Sequence, residues 1–168
     1  MTTDSTARPP TRPADRPTGA AFLLAQIGAH AAGRFADRVA PLGFTPPQTG
    51  LMYAIAGASG RSQQAVAEQL GMHPSRIVAL VDGLERDGIV ERRRNPQDRR
   101  NYALHLTDAG HTALAELSGA SAEHEADLCA ALTDDERIQL TQLLRRVAEQ
   151  QGLTPGVHPG FRRLGEKT

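Results

Sequence analysis

The chain has 168 residues, a formal net charge of zero and a single cysteine, Cys129. This length suits one domain, and one cysteine excludes an internal disulfide and suits a reducing cytoplasm. No apolar run approaches the roughly 20 residues of a membrane span, and the first residues lack the apolar stretch of a signal peptide. We therefore expect a cytoplasmic protein without a membrane partner.

The charges are distributed unevenly along the chain. Five arginines and one aspartate lie between Arg92 and Arg100, whereas residues 107–136 hold eight acids and no lysine or arginine. A basic patch beside an acidic body is compatible with a DNA-binding face. Taken alone, a solvated run of charges is an equally good interpretation.

The N-terminal part of the sequence predicts a tail followed by two helices. Residues 1–18 are rich in proline, threonine and arginine, so we predict a disordered tail. Apolar residues at helical spacing predict a helix from 19 to about 40. A second helix opens at Thr45, where Thr45-Pro46-Pro47-Gln48 is a capping box with proline at the first helical position.

The next two helices have the pattern of a helix-turn-helix. Ser62 caps a short helix, and Gly71 accepts the sharp turn after it. The small side chain of Ala67 lets the two helices cross closely, while Ile77 and Leu80 anchor the second helix. Two adjacent amphipathic helices without this role are common, so the motif needs support from a neighbouring part of the chain.

That support comes from a predicted β-hairpin. Ile89 and Val90 begin a strand that runs to about Arg94, and Asn95-Pro96-Gln97-Asp98 has turn chemistry. Alternating apolar residues from Tyr102 to Leu106 mark the returning strand. A hairpin with arginines at its tip, directly after the second helix of the motif, predicts a wing and a DNA-binding helix.

Two further helices are predicted beyond the wing. Thr107 caps a helix to about Leu132, and a second capping box at Thr133–Glu136 opens another to about Gln151. Residues 152–168 are predicted to be a loose tail. The expected fold is therefore mainly α with a small β-hairpin wing.

Polar residues at the helix starts and on the wing are the candidate DNA contacts. Arg76 can read guanine through two hydrogen bonds, or it can contact phosphate, which positions the protein without specifying a sequence. Residues at the start of the third helix either bind phosphate or simply cap the helix. The three strand arginines alternate faces, so they cannot all touch DNA. The candidates are Ser62, Gln63, Gln64, His73, Ser75, Arg76, Arg92, Arg94, Arg99 and Arg100.

The run LVDGLERDGIVERRRNPQDRRNYALHLTDAG, from Leu80 to Gly110, resembles the MarR family of bacterial transcription regulators. It holds an Asp-Arg-Arg at the hairpin tip, then a strand, then Leu-Thr-x-x-Gly. The likeness covers about residues 20–151, and its outer helices match by arrangement alone. The resemblance implies a winged helix-turn-helix at about 45–106 and dimerisation helices at about 19–40 and 107–151. It further implies a homodimeric repressor that leaves a palindromic operator when a small effector binds.

The resemblance also implies roles for individual wing residues. Asp98 braces the wing and Arg100 enters the minor groove, whose depth an arginine reads without reading base identity. Many relatives pair the wing aspartate with a helix arginine at the position of Ala79, whereas here the helix arginine is Arg76. The partner of Asp98 is therefore open, with Arg94 or Arg100 as alternatives.

A small aromatic or anionic effector is expected between the dimerisation helices and the winged region. The candidate walls of its pocket are Phe22, Ala25, His30, Met52 and Tyr53. The alternative functions are an effector-independent activator or architectural protein, and a redox-responsive regulator. For the last of these, the acidic Glu125 and Asp127 near Cys129 disfavour a thiolate, so a buried structural cysteine is the preferred interpretation.

Enzyme chemistry, metals and cofactors are not expected. No nucleophile–base set or phosphate loop occurs in the sequence. None of the six histidines has a metal-binding spacing with a cysteine or carboxylate partner.

Overall fold

The computed structural model describes residues 19–94 and 102–163, except the side chains of residues 162 and 163. Within these residues the chain is mainly helical with one antiparallel hairpin, which confirms the predicted fold class. No helix in the described ranges is long and apolar enough to cross a membrane. The helices are α1 (Ala20–Val39), α2 (Pro46–Gly57), α3 (Gln63–Leu70), α4 (Pro74–Arg86), α5 (Asp108–Leu128), α6 (Asp134–Gln150) and α7 (Gly160–Arg163), and the strands are β1 (Val90–Arg94) and β2 (Tyr102–Leu106).

The hydrophobic core lies under the winged helix-turn-helix. It is built from the inward faces of α2, α3 and α4, the hairpin, and the first half of α5. Burial of these apolar side chains is the main force that holds the helices together. Its fully buried members include Leu51, Met52, Ile55, Val66, Ile77, Val81, Leu84, Leu104 and Leu117.

The turn between α3 and α4 has the predicted geometry. Gly71 ends α3 with φ at 62°, in the left-handed region that glycine adopts without strain. Ala67 and Ile77 are buried where the two helices meet, and Leu80 is half-buried beside them. The helix-turn-helix thus combines a glycine at the turn with apolar side chains that are buried where its helices meet.

The hairpin is a wing paired from Val90 opposite Leu106 to Arg94 opposite Tyr102. A short extra segment, which the sequence did not predict, joins its other edge. The backbone N–H of Gly60 donates to the carbonyl of Leu104 (3.1 Å), and the N–H of Leu104 donates to the carbonyl of Arg61 (2.9 Å). Strand β2 is therefore bonded on both edges, which ties the wing to the α2–α3 connection.

The Leu-Thr-x-x-Gly motif forms the joint between the wing and α5. The hydroxyl of Thr107 donates to the carbonyl of Gly88 (2.6 Å) and accepts from the N–H of Gly110 (3.0 Å). A Cβ on Gly110 would lie 2.1 Å from the carbonyl oxygen of Ile89. Glycine is required at this position because the first turn of α5 rests directly on the backbone before β1.

Helices α1 and α5 are joined by charged and aromatic contacts. Arg38 donates to Glu123 (2.7 Å) and also to Asp127, which lies one turn further along α5. The ring of Phe35 lies 5.5 Å from the ring of His124, centroid to centroid. These contacts hold α1 against the outer half of α5, beyond the core.

The outer helices leave much apolar surface uncovered. Helix α6 buries none of its residues, and α1 buries Val39 alone. An open groove of about 1080 Å³ runs between α6, the end of α5 and residues 153–157. The exposed large apolar side chains of α1 and α6 are Phe22, Leu23, Leu24, Ile27, Ile138, Leu140, Leu143, Leu144 and Val147.

The C-terminal segment, here residues 152–163, differs from the loose tail that the sequence predicted. Phe161 is only 8% exposed and belongs to the core. Its ring lies against α2, where a Cβ on Gly50 would come within 2.5 Å of it. The absence of a side chain at Gly50 creates the space for the ring, a long-range match that local sequence patterns do not reveal.

We predict that Phe161→Ala lowers the free energy of unfolding by about 2 kcal/mol. This is below the usual cost of truncating a buried phenylalanine, because the segment can detach locally while the rest stays folded. Gly50→Ala should be destabilising in the native chain and nearly neutral in Phe161→Ala, since the ring it would strike is then absent. Urea denaturation of the four proteins in the cycle measures this.

Gly57→Ala is the matched control for that cycle, because a Cβ at this position of α2 meets nothing within 4 Å. It should leave stability unchanged or slightly raised. If the losses of unfolding free energy for Gly50→Ala and Phe161→Ala simply add in the double variant, the ring of Phe161 does not pack against Gly50.

Candidate nucleic-acid interface

The start of α4 presents a polar, exposed surface. His73 caps the helix, with its Nδ1 accepting from the N–H of Ser75 at 3.3 Å. The same nitrogen lies 2.8 Å from the Ser75 hydroxyl. Both side chains are exposed, so the predicted contacts His73 and Ser75 are adjacent and partly satisfy each other. The first turn of α4 is thus rigidly capped while its outer surface stays open.

Arg76 comes next on the same turn and is half-buried. Its Nε is buried and has no hydrogen-bond partner among the residues that the structure describes. No ion pair joins its guanidinium to a described carboxylate either. A guanidinium with its charge unpaired at the outer start of a helix is suited to bind phosphate or a guanine edge.

The start of α3 contains the three residues predicted to meet phosphate. The Ser62 hydroxyl accepts from the N–H of Ala65 at 3.1 Å, which is the capping alternative. Gln64 is exposed and bonds to Glu68 one turn along the helix (3.1 Å). Gln63 instead faces the wing and accepts from Arg92 (3.0 Å). The free N–H groups at this end of α3 still favour an anion.

The strand arginines have different surroundings. Arg92 bonds to Asp82 at 2.6 Å and also pairs with Glu85, so it faces the protein. Partial burial alone would lower the pKa of Arg92, but the hydrogen bonds and charges of Asp82 and Glu85 outweigh it and raise that pKa. Arg93 bonds to Glu91 on its own strand (3.0 Å), and Arg94 is exposed with no partner in the described ranges. Arg94 is therefore the better placed of the two strand arginines predicted to touch DNA.

The sequence did not identify Asp82 and Glu85 as part of this region. They are three residues apart and therefore share one face of α4. This spacing is the sequence pattern that could have identified them. The wing-tip predictions, Asp98, Arg99 and Arg100, lie outside the described residues.

The residues that were predicted to line an effector pocket have different surroundings in the fold. Met52 is fully buried in the core. Phe22, Ala25 and His30 are exposed on α1. The hydroxyl of Tyr53 lies 3.1 Å from that of Ser118 and 3.4 Å from that of Ser121, linking α2 to α5. The apolar periodicity of α2 predicts this burial of Met52.

Cys129 lies at the end of α5, half-buried beside the groove. Burial, and then the nearby charge of Glu125, raise the pKa of this thiol. A raised pKa leaves less thiolate at neutral pH and so lowers its reactivity. In the parts of the chain that the structure describes, no cluster of three or more histidine, cysteine or carboxylate side chains is arranged to hold a metal ion.

A helix-turn-helix followed by a two-stranded wing, with polar helix starts on one surface, defines a winged-helix DNA-binding protein. A model of the MarR family matches residues 42–101. A protein of Thauera aromatica, named as a transcriptional regulator of the hcr operon, is 40% identical over 113 residues, 67% of this chain and 68% of that one. The chain belongs to the MarR family of transcription regulators.

Solved structures agree with this assignment. The transcriptional repressor CouR, bound to a 23-mer DNA duplex, is 33% identical, with a TM-score of 0.70 over 77% of this chain and 92% of that one. The PcaV transcriptional regulator of Streptomyces coelicolor is 30% identical, with a TM-score of 0.66 over 81% of this chain and 100% of that one. The fold is therefore that of a MarR-type winged helix.

Proposed function

We propose that this chain is a homodimeric repressor that binds a palindromic operator and is released by a small effector. The observation that carries the DNA-binding part is the unpaired guanidinium of Arg76 at the exposed start of α4. In this arrangement α4 enters a major groove, and the wing, through Arg94, Arg99 and Arg100, reaches the flanking minor groove and its phosphates. The repressor CouR, a similar protein solved with a DNA duplex bound, supports a DNA partner.

The uncovered apolar surface of α1 and α6 supports a homodimer. A monomeric protein rarely exposes so many large apolar side chains in one region. A second copy related by a two-fold axis would cover both helices and fill the groove beside α6. The same axis places two α4 helices against half-sites roughly 34–36 Å apart, which is why we expect a palindrome.

The effector part of the proposal is supported by the surroundings of Tyr53. Its hydroxyl and those of Ser118 and Ser121 form a polar cluster between α2 and α5. A flat aromatic or anionic molecule would find hydrogen-bond partners there. Such a molecule would bind better to dimers with one distance between the two α4 helices than to dimers with another. It would thereby lower the affinity for the operator.

We predict that Arg76→Ala lowers the affinity for the operator about tenfold, within the range lost with a bidentate arginine–guanine contact. Fluorescence anisotropy on a palindromic duplex from the protein's own promoter, over a series of salt concentrations, measures it. If Arg76 reads a base, Arg76→Ala lowers the affinity for the operator and leaves the affinity for unrelated DNA unchanged. If Arg76 contacts phosphate alone, the variant should instead bind both duplexes more weakly, and the slope of log affinity against log salt should fall by about one.

Arg86→Ala is the matched control, because Arg86 is the other arginine of α4 and lies at its far end. It should change the affinity little. Wild-type protein that binds neither duplex in a salt-dependent manner would refute the proposed function. Adding phenolic acids to the same titration tests the effector, which must both release the DNA and raise the melting temperature of the free protein.

A further inference from the structure

Arg92 lies at a junction of three elements. Its side chain, on β1, is 21% exposed. One terminal nitrogen, Nη2, bonds to Asp82 on α4 (2.6 Å) and to Gln63 at the start of α3 (3.0 Å). The other, Nη1, pairs with Glu85, whose carboxylate also accepts from the backbone N–H of Arg92 (3.3 Å). The guanidinium is therefore directed into the protein.

The neighbouring Arg94 is the natural comparison. Residues two apart on a strand lie on the same face, so Arg92 and Arg94 leave β1 on the same side. Arg94 is exposed and has no partner among the described residues, whereas both terminal nitrogens of Arg92 are bonded. One face of the strand thus holds an arginine open to solvent and an arginine bonded to carboxylates.

The wing needs such a bond if it is to act together with α4. Backbone bonds to residues 60 and 61 hold the β2 edge of the wing, whereas β1 borders α4, and the wing must meet the duplex at the moment α4 does. A wing free to change its angle would have to be ordered on binding, which costs affinity. In addition, Asp82 and Glu85 are carboxylates on the DNA-binding helix and would repel phosphates if no cation neutralised them.

We propose that Arg92 is a positioning residue that fixes the wing against α3 and α4 and neutralises Asp82 and Glu85, and that it does not contact DNA itself. This inference rests on the proposed DNA-binding function. It replaces the direct DNA contacts that the sequence suggested for Arg92 and Gln63.

The test measures how the affinity for the operator changes when both carboxylates are removed. In Asp82→Asn/Glu85→Gln the DNA-binding surface becomes less negative, so simple electrostatics predicts tighter binding. If Arg92 positions the wing through these carboxylates, the variant should instead bind the operator about tenfold more weakly, a coupling usual within one hydrogen-bond network. Tighter binding with a steeper salt slope would overturn the proposal, because it would mean that the freed Arg92 contacts phosphate.

Arg92→Gln and Arg94→Gln give the second comparison. Both remove one positive charge from the same strand face. Arg94→Gln should reduce the slope of log affinity against log salt by about one, whereas Arg92→Gln should lower the affinity with no loss of slope. A loss of one unit of slope in Arg92→Gln would contradict the positioning role.

A third measurement separates positioning of the wing from general loss of structure. Arg100→Ala should weaken operator binding in the native chain but cost less in Asp82→Asn/Glu85→Gln, because there Arg92 no longer holds β1 against α4. Equal losses in both backgrounds would oppose the inference. Thermal melting shows which variants are folded, and wild-type protein with no operator binding would count against the proposed function alone.

Discussion

Replacing Gly110 with alanine is expected to lower the free energy of unfolding by about 3 kcal/mol or more, at the upper end of the costs of overpacking. The new Cβ would lie 2.1 Å from the carbonyl oxygen of Ile89 and 3.2 Å from the Cβ of Leu106. A flexible side chain could move aside, but a backbone oxygen just before β1 cannot do so without displacing the wing. Chemical denaturation followed by circular dichroism measures the loss.

Gly119→Ala is the control in the same helix, because a Cβ there meets nothing within 4 Å. Alanine has the higher helix propensity, so this change should raise stability by roughly 0.5–1 kcal/mol. Opposite signs for the two substitutions are the expected result. A gain in stability at Gly110 would show that α5 does not rest on the backbone of Ile89.

The second large effect is expected at the exposed apolar surface of α6. Leu144→Asp places a charge where the proposed partner subunit packs, so the protein should become monomeric. Because a dimer binds two half-sites at once, the loss of one subunit should reduce operator affinity by roughly 10²–10⁴-fold. Sedimentation velocity measures the mass, and anisotropy on the palindromic duplex measures the affinity.

Gln142→Asp makes the same change of charge on a different face of α6 and should leave the dimer intact. If Leu144→Asp remains dimeric, the apolar face of α6 is not the interface. A monomer that still binds the full operator as tightly as the wild type would instead contradict the role of the dimer in DNA recognition.

Local patterns in the sequence predicted the helices, the hairpin and their caps well. The second capping box is an example, since the N–H of Thr133 donates to Glu136 (2.8 Å) as predicted. Gly71 was predicted at the turn of the helix-turn-helix, where it has a positive φ. These features depend on residues only a few positions apart, so the sequence displays them directly.

Contacts between distant residues were not predictable in the same way. Arg92 belongs to a basic run, and its charge alone suggested DNA, but the fold brings Asp82 and Glu85 to it. The fit of Phe161 against Gly50 joins residues more than a hundred positions apart. Met52 followed the apolar pattern of α2, but periodicity shows which face is apolar and not how deeply it is buried.

The joint at Thr107 bears on how motion passes through the protein. Its hydroxyl and backbone N–H both bond to the carbonyls of residues 88 and 89, immediately before β1, and Gly110 rests on the second of these. No flexible connection therefore separates α5 from the base of the wing. If an effector or a partner subunit tilts α5, the wing base turns through the same angle as a rigid body. A few degrees of rotation of α5 would then shift the base of the wing, and with it the DNA contacts that we propose for the wing.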